Sequence, residues 1–410
     1  MMNGNMKKAI RSCLVCSHLF GEVLHHQRFA LPENHPLPEA YDVVACPSCG
    51  FVYADTPAQQ ADYDRYYNEF SKYEDTTLAS GGGASELDAR RLKKTASDIR
   101  GFLPDTNASI LDIGCANGGL LAALKNEGYS HLTGLDPSRS CVEHVERMGF
   151  RSLWGGLFCD SAISPTEQFD CVILSHVLEH VCALPAAVEN ILRRLKNGGM
   201  IYIEVPDASR YGDYPIVPYY YFDCEHINHF DETVLKNLFI PCGCEYVAHG
   251  QKELVVAGNR LYPAVYVVFR KTDAGNTAYR TACQGAVRES VRDHLRQSQQ
   301  ARAHEVFEEF AKTQQPIVIW GVGSHALRLM GNTALGKCNI VAFVDKDKKK
   351  QGTRMGAVVI HDPNYLYHFS GTVVVCAALA SDDIIKEIKN MGIPCPVVSA
   401  NERPGSQHIL

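Results

Sequence analysis

The chain has no run of about 18 apolar residues, so nothing in it reads as a membrane span. It also has no basic excess. Forty lysines and arginines face 46 aspartates and glutamates, for a formal net charge of −6. That balance argues against a nucleic-acid partner, because phosphate binding normally brings surplus positive charge. The opening residues, MMNGNMKKAIRSCLVC, contain no apolar signal core before a cleavage site, which points to a cytoplasmic protein. No short internal repeat is visible.

What is present is ordinary for a globular chain, with 46% hydrophobic and 21% charged residues. A length of 410 residues exceeds one ordinary core and suggests two to three domains. The 16 cysteines stand out. A disulfide framework does not suit a chain this long without a secretory signal. Cysteines in apolar segments such as FDCVIL and VVVCAAL read as small buried hydrophobes. Four others form two Cys-x-x-Cys pairs, Cys13/Cys16 and Cys46/Cys49, about 30 residues apart. Each pair suits a tight turn, and four thiolates make a closed, structural zinc site. The alternative is a pair of redox-active or merely buried dithiols.

Residues 1–75 therefore read as a zinc-binding module followed by a tyrosine-rich connector, YDRYYNEFSKY, containing Tyr66, Tyr67 and Tyr73. The cluster SGGGAS at 80–85 reads as a junction, and ELDARRLKKTASDIRGFL as a surface helix. From 109 to about 270 strands and helices alternate: SILDIG, HLTGLD, FDCVILSH, GGMIYIEVP, EYVAHG and AVYVVFR are the strands. This implies an α/β fold with a mostly parallel sheet and helices on both faces, over a domain of 76–272. Residues 275–314 are polar and predict one or two connecting helices, and a second α/β pattern begins at 316, within a region of 273–410.

The stretch ILDIGCANGGLL ends a strand and opens a helix. Gly114 and Gly118 allow close approach to a ligand, and the helix N-terminus offers free N–H groups. The dinucleotide pattern fits poorly, because Ala116 takes its middle position. Asp112 precedes the turn, and Asp136 ends the next strand, placed to accept two ribose hydroxyls. At this point the sequence resembles the class I methyltransferases that use S-adenosylmethionine. Their first motif matches Asp112, Gly114, Ala116 and Gly118. The resemblance implies that the Gly114 loop lies against the methionine part of the cofactor and that Asp136 holds its ribose. FDCVILSHVLEHV matches the fourth strand and its tail, which puts His176, Glu179 and His180 on the pocket rim. The third-strand region, WGGLFCD, lacks the family's acid near the adenine, leaving Gly156 and Leu157 to supply backbone and packing.

After the fifth strand comes YYYFDCEHINHF, residues 219–230. Histidine is the natural general base near neutral pH. The order of parts resembles the sugar C-methyltransferases, which act on nucleotide-linked 4-keto-deoxysugars. By that resemblance His226 is the base, Glu225 its orienting partner, and His180 a further site residue. The family's tyrosine two positions before the glutamate is replaced by Asp223. EHINHF also looks like a broader group of methyltransferases acting on cell-surface polysaccharide precursors, many of which methylate oxygen. Carbon methylation beside a ketone needs a base and a donor to the developing oxyanion, whereas a hydroxyl needs a base and alignment. His229 is expected to be structural. The implied partner is a small-molecule nucleotide-sugar or glycan precursor, with the oligomeric state open.

The C-terminal region carries Gly321-x-Gly323-x-x-Ala326 and, about two dozen residues on, Asp345. By spacing this is a dinucleotide fingerprint, so a nicotinamide-dependent reductase or a nucleotide-sugar-binding protein are rival readings. The resemblance instead implies a domain that builds the substrate cleft without a nicotinamide. Lys346, Lys348, Lys349 and Lys350 read as a solvated run.

Overall fold

The computed structural model describes residues 5–69, 82–83, 85–157, 163–164, 166–257, 260–272, 279–281 and 285–401. Tyr73, residues 80, 81 and 84 of the glycine cluster at 80–85, and the expected boundary residues 75, 76 and 273 lie outside them.

The chain begins with antiparallel strands β1 (Met6–Lys8), β2 (Phe20–Arg28), β3 (Ala40–Ala45) and β4 (Val52–Asp55). Cys13 and Cys16 sit on the turn before β2, Cys46 and Cys49 on the turn between β3 and β4. Gly50 relieves the second turn with φ of 73°. Every residue of β4 is buried, so both of its faces are covered. Helix α1 (Gln60–Glu69) follows and buries Tyr63.

Helix α2 (Glu86–Phe102) is capped by the Ser85 hydroxyl, which accepts from the Asp88 N–H, and buries Leu92, Thr95, Ala96 and Ile99, a stripe at helical spacing. Then come β5 (Ser109–Ile113), α3 (Gly119–Asn126), β6 (His131–Asp136), α4 (Arg139–Arg147), β7 (Arg151–Trp154), β8 (Phe169–Ser175), α5 (Leu184–Arg193) and β9 (Leu195–Pro206). The five strands are parallel, and their apolar runs are buried on both faces, as Cys171–Leu174 and Met200–Val205 illustrate. WGGLFCD is not itself the third strand: β7 ends at its Trp154, and the glycines follow.

A two-residue strand, β10 (Asn228–His229), comes next and pairs with β4, Asn228 opposite Tyr53 and His229 opposite Val52. The loop after β9 thus completes the N-terminal sheet, which runs β1-β2-β3-β4-β10. After α6 (Glu232–Phe239), the long hairpin β11 (Cys244–Ala257) and β12 (Arg260–Lys271) adds antiparallel to β9. The central sheet has the order β11-β12-β9-β8-β5-β6-β7. Its direction of winding reverses between β5 and β8, where ligands bind in open α/β sheets.

Two helices, α7 (Ala286–Gln299) and α8 (Ala303–Thr313), lead to the last α/β layer: β13 (Ile317–Trp320), α9 (Ser324–Asn332), β14 (Ile340–Val344), β15 (Arg354–Met355), β16 (Val358–His361), β17 (Thr372–Val375), α10 (Ser381–Asn390) and β18 (Val397–Ser399). Its sheet runs β15-β16-β14-β13-β17-β18, parallel except for β15.

Helix α9 lies directly on β2. The Asn332 amide donates to the Arg28 carbonyl at 2.7 Å and accepts from the Arg28 N–H at 3.1 Å. Gly331 makes this approach possible, because a Cβ there would stand 2.5 Å from the Arg28 carbonyl carbon and oxygen. Glycine to alanine inside a helix normally stabilises. Here Gly331→Ala is expected to lower stability by about 1–3 kcal/mol, the usual scale of overpacking, as read by urea denaturation. Unchanged or increased stability would show that the two layers can separate freely.

Candidate active site

A cavity of about 490 Å³ opens beyond the carboxyl ends of β5, β6 and β8. Its floor is the turn after β5. Gly114 and Gly118 have φ of 71° and 73°. A Cβ on Gly114 would lie 2.7 Å from a Val177 methyl, and one on Gly118 2.9 Å from a Val145 methyl, so the turn cannot carry side chains there. Ala116 also has positive φ, at 46°.

Asp136, at the end of β6, lines the cavity and fastens this turn. Its carboxylate accepts from the N–H groups of Ala116 and Ser138, each at 2.8 Å. This structural duty was not visible in the sequence, which suggested only a ribose acceptor. Asp112 faces the same cavity and is almost fully buried. Burial, followed by the nearby charge of Asp136, pushes its carboxyl up to about 8. Gly155, Gly156 and Leu157 also line the cavity.

His176 follows β8 with φ of 58°, uncommon for a bulky residue. Its N–H donates to the Glu204 carbonyl at 2.7 Å, which holds the conformation. Its ring lies between two buried acids, Nδ1 3.2 Å from Glu179 and Nε2 3.6 Å from Glu204. Burial alone would lower its pKa, but the hydrogen bonds and charges of the two glutamates raise it to about 9. Glu204 is bound on its other side by Lys252 at 2.6 Å and by the Tyr202 hydroxyl at 2.8 Å, and is held well below the usual carboxylate range. Lys252 also reaches Asp98 at 2.9 Å. The motifs did not reveal Lys252, because its acids lie on α2 and β9, far away along the chain.

His180, Glu225 and His226 all line the cavity and come together. The rings of His180 and His226 meet edge to face at 4.7 Å. His180 Nδ1 lies 3.0 Å from the Glu225 carbonyl, which can only accept, so the proton is assigned to Nδ1 and Nε2 remains the basic nitrogen. The Glu225 carboxylate accepts from the Tyr67 hydroxyl at 3.0 Å and lies 3.8 Å from His180 Nδ1. The sequence suggested Glu225 as the partner of His226; the structure adds Tyr67 and His180 to its surroundings. His229 is buried away from the cavity against Tyr211 and Phe222, and burial lowers its pKa to about 3.

The four paired cysteines converge at a second location. Their sulfurs lie within 4.8 Å of one another, with Cys13–Cys49 at 3.4 Å and Cys16–Cys46 at 3.5 Å. Hydrogen bonding among them drives Cys13 and Cys49 up and Cys16 and Cys46 down from the ordinary thiol value.

In the C-terminal layer, the Asp345 carboxylate accepts from the N–H groups of Val322 and Asp347 at 2.9 and 3.0 Å, with the Lys350 ammonium 3.3 Å away. The acid that completes the dinucleotide spacing is therefore engaged by the glycine turn after β13 and by its own turn. Lys350, read as part of a solvated run, also donates to the Val322 carbonyl at 3.1 Å.

Residues 87–249 match the family model described as a methyltransferase domain, and residues 313–396 match one described as C2185-like, N-terminal. Over 109 residues the chain is 33% identical to the ubiquinone biosynthesis O-methyltransferase of Methylobacterium nodulans, which covers 26% of this chain and 43% of that one. The protein of the same name from Xylella fastidiosa is 29% identical over 109 residues, covering 25% and 43%. The chain thus spans 43% of the length of these curated relatives. Among solved structures, an S-adenosylmethionine-dependent methyltransferase of Methanosarcina mazei is 19% identical with a TM-score of 0.36, covering 43% of this chain and 97% of that one. The Burkholderia thailandensis 1,6-didemethyltoxoflavin-N1-methyltransferase, solved with bound 1,6-didemethyltoxoflavin and S-adenosylhomocysteine, is 18% identical with a TM-score of 0.39, covering 57% and 96%.

The His176 site predicts a pH dependence. A histidine raised from about 6.5 to about 9 on folding contributes stability that is fully present below pH 6.5 and is lost as pH rises through 9. Wild type is expected to exceed His176→Gln by up to about 3 kcal/mol at pH 6, and this margin should shrink steadily toward pH 9 in urea titrations. A margin independent of pH would mean that the ring is neutral when folded.

Proposed function

We propose that this chain, whose central sheet has the class I methyltransferase fold and whose residues 87–249 match a methyltransferase-domain model, transfers a methyl group from S-adenosylmethionine to a nucleotide-linked keto-deoxysugar. The observation that carries the reading is the single cavity that brings the glycine turn, Asp136, His180, Glu225 and His226 together. We divide the chain into a zinc-binding module at 1–75, the methyltransferase domain at 76–272, and connecting helices with an α/β domain at 273–410.

When bound, S-adenosylmethionine supplies an electrophilic methyl group on a positively charged sulfur. The residues present fit it. Gly114 and Gly118 keep the floor clear of side chains, and Ala116 and His176 border the same space. Asp136 gives that floor negative character suited to a cationic ligand and would hold its ribose, while Asp112 keeps its proton toward neutral pH. His226 removes the proton from the carbon beside the ketone. Glu225 and His180 hold the base side of the cavity in place, and the Tyr67 hydroxyl secures the Glu225 carboxylate. Cys13, Cys16, Cys46 and Cys49 hold a structural zinc ion, since four converging sulfurs with no open position match a closed tetrahedral site.

Methylation of an oxygen on a sugar or surface-polysaccharide precursor is the second reading. It is favoured by the O-methyltransferase names of the curated relatives and by Asp223, which stands where a C-methyltransferase has a tyrosine. The same histidines then serve as base toward a hydroxyl.

Proton NMR of a nucleotide-linked 4-keto-6-deoxysugar in D2O separates these readings. The signal beside the ketone is expected to disappear with wild type and to persist with His226→Ala. Persistence with wild type across several keto-sugars, with the cofactor bound, would move the reaction to oxygen. For the metal, a chelator strong enough to strip zinc is expected to release about one zinc per chain and unfold residues 1–55; an unchanged circular dichroism melt after complete removal would overturn the zinc assignment.

A further inference from the structure

The loop that carries Glu225 and His226 is held by a charged residue from the C-terminal domain. Arg328, on α9, is 1% exposed. Its Nη1 donates to the Asp223 carboxylate at 2.8 Å, while its Nε has no hydrogen-bond partner among the described residues. The guanidinium carbon also stands 6.0 Å from the centre of the Tyr220 ring, and Tyr220 lines the cavity. Asp223 is fixed on every side. Its second carboxylate oxygen accepts from the Cys224 N–H at 2.8 Å, and its carbonyl accepts from the Tyr41 hydroxyl of β3 at 2.8 Å.

Two residues further on, the Glu225 carbonyl accepts from His180 Nδ1, and the Ile227 N–H donates to the Glu179 carbonyl at 2.9 Å. The segment 223–227 is therefore anchored by all three parts of the chain, with the C-terminal part contributing an ion pair. A buried guanidinium stripped of its carboxylate is strongly disfavoured. The loop consequently cannot move away from the position set by α9 without leaving Arg328 uncompensated.

We propose that Arg328 is a positioning residue: through Asp223 it sets the placement of Glu225 and His226, so the C-terminal domain governs the geometry of the catalytic loop without touching the methyl group. This rests on the proposed role of His226, but its test needs no acceptor. The ring-proton NMR signals of His180 and His226, assigned with His180→Asn and His226→Asn, are followed in protein saturated with S-adenosylhomocysteine. In Arg328→Met both signals are expected to move or broaden, with S-adenosylhomocysteine affinity within about twofold of wild type, because the glycine turn and Asp136 lie on other elements. Arg328→Lys should restore them in part, which simple interface packing would not do. Asp223→Asn, which keeps the shape of the side chain, should reproduce the Arg328→Met spectrum and stands in for it if Arg328→Met does not fold. With an acceptor in hand, kcat should fall at least tenfold while KM for S-adenosylmethionine holds.

Unmoved histidine signals in a folded variant overturn the proposal. So does a disturbance of equal size in Arg328→Lys and Arg328→Met that tracks an equal fall in melting temperature, because that marks the pair as interface packing only. Failure of wild type to transfer methyl to any sugar would sink the substrate reading and leave the histidine comparison decisive for Arg328.

Discussion

The pairing of two residues, Asn228 and His229, with Val52 and Tyr53 is the constraint on which the site depends. It turns a loop of the central domain into the last strand of the N-terminal sheet. The Asn228 side chain extends the lock, donating to the carbonyls of Leu178 at 2.9 Å and Val181 at 2.7 Å, which flank the turn bearing His180. The Ala54 N–H donates to the Ile227 carbonyl at 2.9 Å. Glu225 and His226 thus sit just before a rigid boundary, and their partners His180 and Tyr67 approach from elements fixed to the same sheet. A loop free at this end would have no means of keeping two imidazoles and a carboxylate within contact.

Electrostatics complete what the backbone begins. Asp112, Asp136, Glu179 and Glu225 all face the cavity, and Glu204 lies directly behind His176. Such a concentration of acid is tolerated because each group is managed differently. Asp136 is satisfied by backbone N–H groups, Glu204 by Lys252 and His176, and Asp112 by holding its proton toward neutral pH. The result is a chamber whose ionised groups are predominantly negative, an environment that favours a cationic sulfur centre and disfavours a second anion close to the reacting carbon.

The longer parallel strands of the central and C-terminal sheets were legible because strands covered on both faces are continuous apolar runs, as in FDCVILS and IVIW, whereas the short β7, β15 and β18 were not. The glycine turn was legible because a positive φ leaves few choices of residue. The cysteine pairs were legible from spacing alone, and the structure brings all four sulfurs together. Strand β10 was not, since two residues carry no period. Nor were Lys252, Arg328 and the carboxylate contacts of Tyr67, because each meets its partner across more than 45 residues of sequence and no local pattern encodes that meeting. Asp223 stands in the sequence only as a departure from a pattern; its partner Arg328 lies 105 residues away.

The shared sheet also has a consequence for synthesis. Strand β4 leaves the ribosome about 170 residues before β10, a delay of roughly 10–35 s at ~5–20 residues per second. Throughout that interval Val52 and Tyr53 present an open, apolar edge to the cell, and the nascent N-terminal sheet cannot close until the parallel strands β5 to β9 of the central sheet have been made.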